Sequence, residues 1–164
     1  MTEPRAQLEQ HHADAFAWAV SCCKGNGTMA EDVLQTTYLK ILEGRARFDG
    51  RSSFRTWLFS VIRHTALDGW RSPWHKRRRS MTDADLQRPA PSSDADVVDL
   101  SRVADALAGL APRQSEVLTL VYGHGMTVRE ASTVLGISQG STSQHLHRGK
   151  QNLREQFTNT GEKK

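Results

Sequence analysis

Residues 127–155, TVREASTVLGISQGSTSQHLHRGKQNLRE, decide the fold. Thr127 stands three residues before Glu130, the spacing at which a hydroxyl caps a helix while the carboxylate returns to the cap amide. Ala131 is small where a second helix must cross closely. Gly136 supplies a turn conformation costly to residues with a Cβ. Ser138 caps the next helix, and Ile137 and Leu146 anchor both helices to a common core. A helix, a tight turn and a second helix result, the arrangement of a DNA reader. The second helix turns Ser141, Ser143, Gln144, His147, Arg148 and Lys150 away from that core, a row of donors and cations suited to base edges and phosphates. Such a helix enters the major groove.

Upstream of this reader, Leu100, Val103, Ala104, Leu107 and Leu110 recur at helical spacing. Pro112, at a first-turn position, then starts a helix through Val117, Leu118, Leu120 and Val121 that Gly123 and Gly125 end. Residues 97–164 therefore read as a four-helix domain with the reader last. Residues 80–96 carry Pro89, Pro91, Ser92, Ser93 and several Asp without apolar periodicity, and read as a flexible linker. Its full extension at ~3.3 Å per residue reaches about 55 Å.

Residues 1–79 read as a second helical domain. Glu31 to Glu43 forms a helix with Val33, Leu34, Tyr38, Ile41 and Leu42 inward. Asp32, Gln35, Thr36 and Leu39 share the outer stripe, where a large apolar residue among polar ones marks a partner surface. A further helix, Ser53 to Arg71, turns Phe54, Leu58, Val61, Ile62 and Thr65 inward and Arg55, Arg63, His64, Asp68 and Arg71 outward. It leads into a basic patch, Arg71, His75, Lys76, Arg77, Arg78 and Arg79, while His145, His147, Arg148, Lys150 and Arg154 form another. Both suit phosphate contact. Phe54, Trp57, Phe59 and Trp70 set aromatics beside these cations, a composition that can stack unpaired bases, though Trp57 reads first as core. No strand pattern interrupts either half, so the fold class is all-α.

Composition excludes several classes. The 164 residues hold 37% hydrophobic residues and a formal charge of +4. No apolar run approaches a membrane span, and the opening residues lack a secretory pattern, so the expectation is a cytoplasmic chain with no membrane insertion. Cys22 and Cys23 are adjacent and cannot staple distant segments. With His11 and His12 they fit no common zinc spacing, so no metal is expected. A nuclease built on His11, His12 and Asp14 lacks a second carboxylate cluster, a phosphate loop and a nucleophile motif, so no catalytic residues and no cofactor are assigned.

Taken together, AEDVLQTTYLKIL (30–42), RFDGRSSFRTWLFSVIRHTALD (47–68), the polar linker, LAPRQSEVLTLVY (110–122) and the reader resemble bacterial RNA polymerase sigma factors of the extracytoplasmic function (ECF) group. The likeness runs from about Met29 to Glu155. It implies a transcription initiation factor in which Asp32, Gln35, Thr36 and Leu39 bind core RNA polymerase. Phe48, Arg51, Ser52, Arg55, Arg63, His64, Asp68 and Arg71 would recognise and help melt the minus-ten element. Arg129, Ser141, Ser143, Gln144, His147, Arg148 and Lys150 would read the minus-thirty-five element. The resemblance also implies an anti-sigma factor as partner. Departures stand at Thr142, Ser143, His145 and His64, where the family usually has Val, Lys, Arg and Asn. The last sixty residues also resemble the DNA-binding domain of response regulators, which recruit polymerase without becoming its subunit. The first half lacks the alternating strands and acidic phosphorylation residues of a receiver domain.

Overall fold

A computed structural model describes residues 3–71 and 102–161, and the chain divides into two compact units. The expected linker and the basic patch after Arg71 lie outside the described residues, as do the side chain of Arg71 and residue Leu100. Among the described residues there is no strand, and no helix is long and apolar enough to cross a membrane.

The first unit is built from α1 (Pro4–Gln10), α2 (His12–Cys22), α3 (Gly27–Leu42) and α4 (Phe54–Arg71). Pro4 opens α1, where its missing N–H costs nothing. Asn26 caps α3 through a 3.0 Å bond from the Met29 amide, and Ser53 caps α4 by accepting from the Thr56 amide at 3.1 Å. Trp18 on α2 is the centre of the core. It is 1% exposed, its indole N–H donates to the Phe59 carbonyl at 3.0 Å, and its ring stacks on that of Phe59 at 5.7 Å. Around this pair Ala15, Ala19, Ala30, Leu34, Leu58 and Ile62 are all buried.

Two sequence expectations are corrected here. Leu42, expected inward on α3, is 58% exposed, while Thr37 is fully buried with its hydroxyl donating to the Val33 carbonyl at 2.8 Å. The small Thr fits between close helices once that local bond satisfies its oxygen. Arg63, expected outward on α4, is only 9% exposed. It lies one turn beyond Phe59, on the side of α4 that the Trp18 contact draws inward.

The second unit holds α5 (residues 102–108), α6 (Pro112–Leu118), whose end widens into a π-turn over Thr119–Gly123, α7 (Val128–Leu135) and α8 (Gln139–Gly161). Helix α8 lies tightly on α6 because Gly149 has no side chain. A Cβ there would meet Leu118 Cδ1 at 3.0 Å and Gln114 Cβ at 3.3 Å. One turn on, Asn152 Nδ2 donates to Gln114 Oε1 at 2.9 Å, fixing the register. Ile137 and Leu146, expected as anchors, are each half-buried.

Cys23, at the end of α2, is 1% exposed, and burial, with a smaller contribution from the Asp32 carboxylate, pushes its thiol from 9.0 up to about 11. A raised value means less thiolate at every pH below it, about a hundredfold less at pH 8, and the thiolate is the reactive form. Alkylation at pH 8 should therefore leave Cys23 unmodified in the native chain and label it after urea unfolding, as read by peptide mass spectrometry. Gly149→Ala should destabilise the second unit by about 1 kcal/mol, because ~1–3 kcal/mol of overpacking outweighs the ~1 kcal/mol of helix propensity gained. Hydrogen exchange along α8 measures it; unchanged protection would mean that the overpacking costs no more than the helix propensity gained.

Candidate nucleic-acid interface

The helix-turn-helix forms as its residues require. The Thr127 amide donates to Glu130 Oε2 at 2.8 Å while the Glu130 amide donates to Thr127 Oγ1 at 3.2 Å, so each residue satisfies a donor that the start of α7 leaves open. Gly136 adopts φ +65°, the left-handed conformation that ends α7, and the Ile137 amide returns to the Ser132 carbonyl at 3.2 Å. Ser138 then caps α8, accepting from the Ser141 amide at 3.0 Å. Ala131 is fully buried.

On α8, Ser143, Gln144, His147 and Arg148 are exposed side by side, and Arg129 is exposed on α7. Ser141 is half-buried, its hydroxyl accepting from Ser138 Oγ at 3.0 Å, which leaves its own hydrogen available. Lys150 differs from the others in the row. It is half-buried, with its ammonium 5.2 Å from the ring centroid of Tyr122, an aromatic that is itself 61% exposed. Such a cation–π contact holds the charge near the ring rather than at the tip of a free arm. Thr142, where the family usually has Val, is fully buried and donates to the Ser138 carbonyl at 2.9 Å, so its extra oxygen is satisfied and its shape serves the core. The departure at Thr142 therefore costs the reader surface nothing.

In the first unit the loop between α3 and α4 carries Phe48, 41% exposed, whose ring lies 5.5 Å from Phe54 in an edge-on contact and 5.4 Å from Trp57. Trp57, read from sequence first as core, is half-buried, so this cluster presents aromatic surface at the start of α4. Arg51 is exposed and held by Asp49, its amide to Oδ1 at 3.1 Å and its Nε to Oδ2 at 3.3 Å; Ser52 is half-buried beside it. Along α4, Trp57, His64 and Asp68 follow one stripe with Ser60 and Val61 between them. His64 and Asp68 are exposed, and Lys40 Nζ stands 4.0 Å from Asp68 Oδ2 while donating to Thr65 Oγ1 at 3.3 Å. Arg55 and Arg63 do not join the stripe. Arg55 Nε bonds Asp14 Oδ2 at 2.9 Å and its guanidinium sits 5.1 Å from the Phe59 ring, an interhelical tie that sequence spacing could not reveal; Arg63 is buried as described above.

A third surface lies on α3. Gln35, Thr36 and Leu39 are exposed on one face and Asp32 is half-buried at its edge. Leu42 joins Leu39, and both leucines are more than half exposed, so the apolar part of this surface is larger than the sequence reading gave it. Beside it a groove between α1, α2 and α3 is lined by Leu8, His12, Tyr38 and Leu42, with His12 Nδ1 3.0 Å from the Tyr38 hydroxyl. Burial pushes that phenol up to about 12, so it stays a donor at any physiological pH. Among the described residues no cluster of His, Cys, Asp and Glu could hold a metal ion.

Two family models match the chain: Sigma-70 region 2 over residues 8–77 and Sigma-70, region 4 over residues 106–155. Among curated relatives, the RNA polymerase sigma factor CarQ of Myxococcus xanthus is 32% identical over 79% of this chain and 75% of its own length. The ECF RNA polymerase sigma factor SigL of Mycobacterium tuberculosis is 30% identical over 87% and 82%. Among solved structures, the sigma factor RpoE of Bartonella quintana, in complex with the anti-sigma factor NepR, matches with a TM-score of 0.73 and 24% identity, over 94% of this chain and 96% of that one.

Proposed function

The chain belongs to the ECF group of sigma-70 RNA polymerase sigma factors, and from that membership we propose how its three surfaces divide the work. It binds core RNA polymerase and directs it to promoters for transcription initiation. The observation that carries the assignment is the order of the two regions on one chain. A response regulator of the kind weighed against the sequence would have a receiver where residues 8–77 match region 2.

In the proposed division, Asp32, Gln35, Thr36 and Leu39, extended by Leu42, form the seat of core polymerase. An apolar centre rimmed by polar groups suits a stable protein interface. Phe48, Arg51, Ser52, His64, Asp68 and Arg71 face the minus-ten element. Arg55 and Arg63 support that surface from within, the first through Asp14. Exposed aromatic faces at Phe48 and Trp57 can stack a base that has left the duplex, which offsets the few kcal/mol of unstacking. Melting then needs binding energy and no catalysed reaction. Arg129, Ser141, Ser143, Gln144, His147, Arg148 and Lys150 face the minus-thirty-five element, with Ser143 and Gln144 at base edges and Arg148 on phosphate. An anti-sigma factor completes the set of partners. The support is the shared fold of RpoE, which is held by NepR, and the exposed leucines of α3, which invite a cover when polymerase is absent.

Transcription in vitro with core polymerase and a genomic library tests the role and returns the promoters; no transcript dependent on this chain would end the reading. Replacing Gln35 and Leu39 together by Ala should weaken core binding by about tenfold or more if they are central to the interface. Thermal stability should move by about 0.5 kcal/mol or less per exposed site, so unaltered affinity would remove them from the seat. Arg148→Ala should weaken binding to all upstream elements alike and lower the salt slope by about 0.9 per lost phosphate contact, whereas Gln144→Ala should change which element is preferred. Salt titrations of the full chain on minus-thirty-five duplexes separate the two; an unchanged slope excludes Arg148 from phosphate.

A further inference from the structure

Tyr122 stands four residues after the buried Leu118, a spacing that keeps two side chains on one face of a regular α-helix. It does not stay there. The end of α6 widens into its π-turn, closed by the His124 amide donating to the Thr119 carbonyl at 3.1 Å, and the extra residue in that turn rotates Tyr122 off the inner face until it is 61% exposed. On the facing helix, Gly149 lets the backbone of α8 come up against Leu118, and Lys150 follows it directly. The Lys150 ammonium thereby arrives beside the displaced ring, 5.2 Å from its centroid, with the residue half-buried. Two departures from regular packing, a π-turn on one helix and a missing side chain on the other, bring cation and ring together.

A ring covers one side of an ammonium and leaves N–H donors on the others. Lys150 stands seven residues, or roughly 10 Å, beyond Ser143 on the same flank of α8, which carries it from the floor of an entered groove toward the phosphate wall. An exposed lysine gives up much rotamer freedom when it grips a phosphate, and a cation already held over a ring has given up part of it beforehand. We propose that Tyr122 is a positioning residue for minus-thirty-five binding: its ring holds the Lys150 ammonium in place for a backbone phosphate and contributes no DNA contact of its own. The inference rests on the assignment of Lys150 to the minus-thirty-five duplex. Neither the periodicity of α6 nor the helix-turn-helix pattern singles Tyr122 out, because it lies before the reader begins.

The test is a salt titration of full-chain variants on the minus-thirty-five duplex of a promoter recovered by library transcription. Tyr122→Leu keeps the bulk and removes the π face. It should weaken binding about two- to fourfold, the size of a cation–π contact at an exposed site, with the salt slope unchanged because Lys150 still meets its phosphate. Tyr122→Phe keeps the face, loses only the hydroxyl and should bind as the parent does. Lys150→Gln should lower the slope by about 0.9, and on that background Tyr122→Leu should cost nothing further. A loss that persists on the Lys150→Gln background, or one that Tyr122→Phe shares, would overturn the inference while leaving the reader in place, as would a Tyr122→Leu chain that binds like the parent. A Lys150→Gln chain with unaltered affinity and slope would instead remove Lys150 from the DNA surface, and the inference would go with that assignment.

Discussion

The first unit depends on one contact, the indole of Trp18 against Phe59. Its N–H is buried and must find an acceptor, and the one it finds brings α2 onto the flank of α4 at the level of the Phe59 carbonyl. The stacked rings hold that flank inward, and the arc of α4 that is buried widens to include Arg63. Arg55, one turn before Phe59, reaches across to Asp14 and lies over the same ring. Two cations that could have faced DNA thus brace the helix, and on α4 the part of the surface proposed for recognition narrows to the stripe of Trp57, His64 and Asp68. A narrow stripe held by a packed flank presents its groups in fixed geometry, which is what base reading needs.

In the second unit the corresponding constraint is an absence. Gly149 lets α8 approach α6 until Leu118 and Gln114 touch its backbone. That approach fixes the rotation of α8 about its axis, and the rotation decides which side chains face outward. With Thr142 buried on the same inner line, seven residues earlier, the row from Ser143 to Arg148 is presented as a unit. The caps at Thr127 and Ser138 and the turn at Gly136 then set the angle at which α7 precedes it.

The reader was legible in the sequence because its signals are local. A capping box, a left-handed glycine and a second cap each depend on residues within four positions, and all three form as their spacing requires. The helices of the first unit were legible as helices for the same reason. Their faces were less so. Periodicity assigns one inner stripe per helix, but α4 is packed by both α2 and α3, and a helix covered from two sides buries residues that a single stripe leaves outside. Arg63 is the clearest case. Leu42 fails the other way, an apolar residue at the end of α3 left more than half exposed by the described helices, and apolar character alone cannot distinguish core from partner surface. The ties of Arg55 to Asp14 and of Lys150 to Tyr122 join residues far apart in the chain and leave no local trace.

The two surfaces proposed to face DNA differ in charge, and on that proposal the difference orders their action. The α8 row carries Arg148 with donors around it and gains from phosphate on any duplex, so it favours arrival. The α4 stripe ends in Asp68, whose carboxylate is paired with Lys40 at 4.0 Å and gains nothing from phosphate. Its favourable partners in DNA are N–H groups on bases. In a paired adenine or cytosine one amino hydrogen is already committed to the opposite base, while strand separation frees both and also exposes a ring for Phe48 and Trp57 to stack. On the proposed assignment of this stripe to the minus-ten element, it gains more from the melted strand than from the duplex, because separated bases expose both their N–H groups and their ring faces. On that assignment sequence preference and strand opening draw on the same contacts, and a promoter that satisfies the stripe is also one that the bound polymerase opens more readily.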